Sequence, residues 1–138
     1  MTTIIERVRA RRRADSIARM REFLAAHPPP GAERVILFGS LARGDFDGAS
    51  DADLLVVGGE GRLDTGIWDA AGRDCDVVPL SAEAWARGLA NGHPFALAVA
   101  REGVELWAAA PDQGRAAGAA GAVAAAAPGP APGRCAGR

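Results

Sequence analysis

From Thr2 to about Ala26, apolar side chains return at helical spacing. Ile4, Ile5, Val8, Ile17, Met20, Phe23 and Leu24 form the stripe, and Arg7, Arg9, Arg11, Arg12, Arg13, Arg19 and Arg21 fill much of the remainder. The pattern predicts an amphipathic helix over residues 1–27, either unbroken or divided near Arg13, which Pro28-Pro-Pro-Gly31 stops. The periodicity then changes. Arg34-Val-Ile-Leu-Phe38, Leu54-Leu-Val-Val57 and Cys75-Asp-Val-Val-Pro-Leu80 are short apolar runs bounded by turn residues, the signature of strands buried on both faces. Leu63, Ile67, Trp68 and Ala71 return to helical spacing, and Ser81 is a good N-cap for a helix reaching about Ala90. Pro94 to Arg101 reads as a further helix with Pro in its first turn and Gly103 beyond its end, and Val104-Glu-Leu-Trp107 as a small closing strand. The order α-β-turn-β-α-β-α-α-β predicts an α/β (α+β) fold, a small mixed β-sheet packed with helices. The structured domain spans residues 1–108. The Ala/Gly/Pro-rich stretch 109–138 has little to bury, and its composition predicts a disordered tail.

A chain of 138 residues leaves room for one such domain and one site. The formal net charge of −1 lacks the basic excess that direct nucleic-acid binding would require. Cys75 and Cys135 make neither a disulfide framework nor a metal spacing, which fits a reducing, cytoplasmic setting. No window supplies a signal-peptide core or the roughly 18 apolar residues of a membrane span. His27 and His93 each precede Pro and read as turn residues. Trp68, Trp85 and Trp107 fall on apolar faces and read as core. The arginines of the first helix are read either as its solvated face or as a contact for phosphates or an acidic partner.

The chemistry concentrates in F-G-S-L-A-R-G-D-F-D-G-A-S-D-A-D, residues 38–53. Asp51 and Asp53 enter a strand two residues apart, so alternation points both carboxylates the same way. A pair that stays ionised at such a spacing calls for a cation, and oxygen donors without His or Cys favour Mg²⁺ or Mn²⁺. Asp76 precedes Val77-Val78 on another strand and can complete a trio; Asp74 competes for that place. Three carboxylates on neighbouring strands can hold two divalent ions about 3.5–4 Å apart, the arrangement used for in-line displacement at phosphorus. The Gly39-Ser40 corner lets backbone N–H groups and a hydroxyl meet an anion, and Arg43 can reach the same ligand. A calcium loop built on Asp45, Asp47 and Asp51 is excluded, because Ser50 and Val56 stand where it needs Gly and Glu.

Gly39-Ser40, ten intervening residues, Asp51-Ala-Asp53 and the later Asp76 resemble the signature of the DNA polymerase β-like nucleotidyltransferase superfamily. The string G-S-L-A-R-G…S-D-A-D-L-L-V is similar to its minimal, MNT-type branch, with the likeness running from about Val35 to Trp107. The resemblance implies that Gly39 and Ser40 hold the β/γ phosphates of ATP, and that Asp51 and Asp53 ligate two Mg²⁺ ions. It implies that Asp76 binds the catalytic ion and helps deprotonate the acceptor hydroxyl. It further implies an antitoxin that transfers AMP to a tyrosine of a partner HEPN-type toxin. This chain contains no Tyr, so a partner hydroxyl is the simplest acceptor. Two alternatives stand beside that expectation: a subunit that modifies a small molecule such as an aminoglycoside, and a non-catalytic antitoxin acting by binding alone.

Overall fold

Thr3 opens the first helix, its hydroxyl accepting the Glu6 amide at 3.0 Å, and α1 (Ile4–Ala26) then runs without a break at Arg13. The computed structural model describes residues 3–45 and 50–110, so most of the Ala/Gly/Pro-rich stretch expected to be disordered lies outside the described residues. The apolar stripe of α1 is divided in its use. Ser16, Ile17, Met20 and Leu24 are buried, whereas Ile4, Ile5 and Val8 stand exposed on the first turns.

After α1 come β1 (Ala32–Phe38), the short α2 (Gly39–Arg43), β2 (Ala52–Gly58), α3 (Ile67–Ala71), β3 (Cys75–Leu80), α4 (Ala82–Ala90), α5 (Pro94–Glu102) and β4 (Val104–Ala108). The predicted order holds, with α3 shorter than the helical spacing from Leu63 to Ala71 suggested. Among the described residues the strands form one mixed sheet in the order β3-β2-β1-β4. β1 pairs antiparallel with both β2 and β4, while β2 and β3 run parallel, with α3 lying between them in the chain.

Strand alternation sorts the side chains into two cores. Val35 and Leu37 of β1, Ala52, Leu54 and Val56 of β2 and Cys75 of β3 face α1 and α3, where they meet Met20, Leu24 and Ile67. Ile36, Leu55 and Val57 face α4 and α5 and meet Trp85, Ala96 and Val99. A middle strand with helices on both faces has no wet side, which is why β2 reads as an unbroken apolar run. Trp85 is core, as expected, and Trp107 is partly buried; Trp68 is 49% exposed, because α3 is only five residues long and turns that ring outward. Both histidines serve helix ends: His93 Nδ1 accepts the Phe95 amide at 3.2 Å, and His27 caps α1 and stacks on Phe23. No helix among the described residues is long and apolar enough to cross a membrane.

Candidate functional site

The site lies where β1, β2 and β3 end or begin on the same edge of the sheet. Phe38, the last residue of β1, is the register partner of Asp53, and Asp53 is the partner of Asp76 across the parallel β2–β3 ladder. Paired residues on neighbouring strands share a face, so Phe38, Asp53 and Asp76 make a row across the sheet. The row continues the Leu55/Val57 and Val78/Leu80 series, placing it on the α4/α5 face, beyond the end of the apolar packing. Of the two acids considered on β3, it is Asp76 that stands beside Asp53. Asp74 lies one step before the strand and gives its carbonyl to the Ala52 amide at 2.9 Å.

Asp53 is half-buried, whereas Asp51 and Asp76 are exposed. Burial pushes the Asp53 carboxyl above its ordinary range, and the like charges of Asp76 and Asp51 push it further in the same direction; Arg43 opposes them. Desolvation and repulsion therefore both disfavour an ionised Asp53 in the bare chain. The three expected acids are electrostatic neighbours but not a tight cluster. Among the described residues, no group of three His, Cys, Asp or Glu side chains gathers closely enough to hold a metal ion. The physical reason is at hand: like charges repel, and the exposed side chains of Asp51 and Asp76 can turn to water.

The Gly39-Ser40 corner is tied to this row by sterics. Gly39 has φ +78°, and a Cβ added there would overlap the Asp53 carboxylate, so a glycine is needed both for the backbone turn and for the acid beside it. α2 follows at once. Its Ser40 carbonyl accepts the amides of Gly44 (2.9 Å) and Asp45 (3.1 Å), with Gly44 in the left-handed conformation at φ 89°. Ser40 is half-buried, and its hydroxyl has no partner among the described residues. Arg43 is half-exposed between two carboxylates, with Nε 3.2 Å from Asp45 and Nη1 3.7 Å from Glu102.

The entry to β2 is held separately. Arg73 Nη1 donates to the Ser50 carbonyl at 2.8 Å, fixing the residue before Asp51. Cys75, at the start of β3, has its thiol pushed up to about 11 by desolvation and by Asp74 and Asp51, and it packs in the α1/α3 core. Phe95 at the start of α5 meets Phe38 edge-on at 5.4 Å between ring centroids, so an aromatic pair borders the acids. Neither phenylalanine was singled out as a site residue in the sequence; the signal available was Phe38 immediately before Gly39. Asp47 and Gly48 of the connecting loop lie outside the described residues.

No curated protein matches the chain. Among solved structures the chain is similar to a protein from Sulfolobus solfataricus described as a candidate nucleotidyltransferase, with 22% identity, coverage of 72% of this chain and 86% of the other, and a TM-score of 0.45. It is also similar to a chain of a toxin–antitoxin structure with AMP-PNP, at 20% identity, coverage of 70% and 77%, and a TM-score of 0.41. The family model described as a nucleotidyltransferase domain matches residues 17–89, from the docked half of α1 to the end of α4. That segment is more than half of the chain and contains the glycine-serine corner and the acids of both strands, and on this match the chain belongs to the nucleotidyltransferase domain family.

Proposed function

We propose that the protein transfers AMP from ATP to a hydroxyl group of a partner protein, with a tyrosine of a HEPN-type toxin as acceptor and silencing of that toxin as the outcome. The observation that carries the reading is the row Asp53–Asp76 on adjacent parallel strands, with Gly39 packed so closely that any side chain there would strike Asp53. Nucleotidyl transfer needs a cation held against the phosphates, for which gathered carboxylates are the ligands, and an anion cradle next to it.

The donor chemistry suits a hard divalent cation, which would have to draw Asp51 and Asp76 in toward Asp53. The donor set is all carboxylate, and the charge repulsion that raises the Asp53 pKa is the kind that a cation relieves. Asp53 and Asp76, with Asp51 at their edge, would hold magnesium or manganese. Bound there, the metal would neutralise charge on the phosphates and favour the ionised acceptor. Gly39 and Ser40 would receive the β and γ phosphates through the first-turn amides of α2 and the Ser40 hydroxyl. Arg43 would leave Asp45 or Glu102 to meet the same phosphates. Asp76, exposed at the rim, would take the proton of the acceptor hydroxyl. The acceptor's oxygen would then bond to the α-phosphorus as the bond from that phosphorus to the bridging β-phosphate oxygen breaks and pyrophosphate departs.

The test is transfer of label from α-³²P ATP in the presence of Mg²⁺ and the candidate toxin. Label on the toxin, absent when its acceptor tyrosine is Phe, is the expected result. Label on an aminoglycoside instead would move the acceptor to small molecules, and toxin binding without any label would leave a non-catalytic antitoxin.

A further inference from the structure

α2 is so short that its last carbonyls cannot be satisfied within the helix, and the chain must provide donors from elsewhere. Ser40 O is taken by the amides of Gly44 and Asp45. The next two carbonyls are taken by one side chain from α1: Arg13 Nε donates to Leu41 O at 3.0 Å, and Arg13 Nη2 donates to Ala42 O at 2.8 Å. The stem of Arg13 runs beside the left-handed turn, its Cδ lying 3.9 Å from where a Cβ on Gly44 would be. A planar guanidinium presents two N–H groups in a fixed fork, so it can hold two successive carbonyls at once, which an ammonium cannot do with the same geometry. Leu41 and Ala42 are buried in the α1/α3 core, so the fork locks the polar side of a turn whose apolar side is already packed.

We infer that Arg13 is a positioning residue for the Gly39-Ser40 turn, acting through the backbone of α2 and touching no ligand itself. The inference deepens the proposed function and rests on it for the identity of the ligand. Arg13 lies before residue 17, outside the segment the family model matches, so this anchor belongs to the chain's own first helix. A comparable link elsewhere on α1 supplies the control: Arg19 Nε donates to Ala70 O of α3 at 2.9 Å and ties the same helix to a different element, away from α2.

The experiment compares Arg13→Ala, Arg13→Lys and Arg19→Ala in the full chain by amide hydrogen exchange and by ATP kinetics. Arg13→Ala is expected to speed exchange of the Gly44 and Asp45 amides by roughly tenfold, with Gly72 and Arg73 at the end of α3 unchanged, and Arg19→Ala to do the reverse. In transfer assays Arg13→Ala is expected to raise the KM for ATP by roughly tenfold with little change in kcat, Arg13→Lys to recover part of that loss, and Arg19→Ala to leave KM alone. Unchanged exchange at Gly44 and Asp45 in Arg13→Ala, or an equal KM shift in Arg19→Ala, would overturn the inference. The exchange arm needs no activity. If the wild-type chain transfers nothing yet its α2 amides respond to Arg13 as stated, the functional proposal fails while the anchoring role stands.

Discussion

Asp53 and Leu54 are consecutive residues on the same strand, yet they belong to opposite sides of the molecule. Leu54 is fully buried against α1 and α3 in the larger core. Asp53 points to the α4/α5 face at the place where that smaller core ends, half-buried, with Asp76 beside it and Gly39 against it. The α1/α3 face is thus closed along the whole of β2, while the α4/α5 face is left open at the end that carries charge. A closed face tolerates only apolar side chains, since a buried charge without a partner is costly. An open end can carry acids whose mutual repulsion costs some stability, provided a ligand later makes use of them.

The largest expected effects break this pair apart. Asp53→Ala should reduce nucleotidyl transfer on the order of a thousandfold while leaving the melting temperature at or above that of the wild-type chain. Leu54→Ala, one residue on, should lower stability by about 2–5 kcal/mol, because it opens a cavity in a core that cannot fully collapse. Urea denaturation and the transfer assay together read both. A destabilised Asp53→Ala with normal turnover would mean that the acid is structural and that the open end is not a site.

Gly39 sharpens the comparison, since it sits between the two regimes. Its φ of +78° penalises any side chain by about 1–2 kcal/mol, whichever residue stands opposite. The overlap with Asp53 adds to that cost only while the carboxylate is present. In a double-mutant cycle, Gly39→Ala should therefore cost more in the wild-type background than in Asp53→Ala, leaving a residual of about 1–2 kcal/mol from the backbone. Equal costs in both backgrounds would show that the carboxylate swings aside freely, and that Gly39 is there for the turn alone.

Much of this arrangement is legible in the sequence, and the reason is periodicity. Runs such as Leu54-Leu-Val-Val57 fit only a strand covered on both faces, and acids two residues apart at its entry must share a side. Asp76 could be preferred over Asp74 because it abuts Val77, and the parallel register places it beside Asp53. What could not be read was whatever depends on contacts between distant segments. The arginines of α1 looked like a solvated face, or else a phosphate contact. Yet Arg13, Arg19 and Arg21 donate to backbone carbonyls of α2, α3 and β4, at sequence separations of 28 to 84 residues. Nothing in a local pattern distinguishes an arginine that meets water from one that caps a remote helix. Trp68 misled for a related reason: helical spacing gives a stripe, but α3 is too short to bury all of it.

The smallest effect is a matter of pH and tests whether the open end is strained by charge. Asp53 in the folded chain holds its proton to a higher pH than its ordinary value of 3.8, mainly through burial and then through Asp76 and Asp51. A raised carboxyl favours folding below that ordinary value, and the benefit is lost as pH rises through the folded pKa. At neutral pH the ionised Asp53 therefore weighs against the fold. Asp53→Asn removes the titration while keeping the shape, so it should melt higher than wild type at pH 7, by a few degrees at most. The gap should shrink as pH falls toward 4. Magnesium adds a second axis, because a cation that satisfies the carboxylates should raise the wild-type melting temperature and do much less for Asp53→Asn. A gap that widened in acid would reverse the sign of the Asp53 shift. Equal responses to magnesium would place the cation away from this row, leaving the repulsion among Asp51, Asp53 and Asp76 without a chemical use.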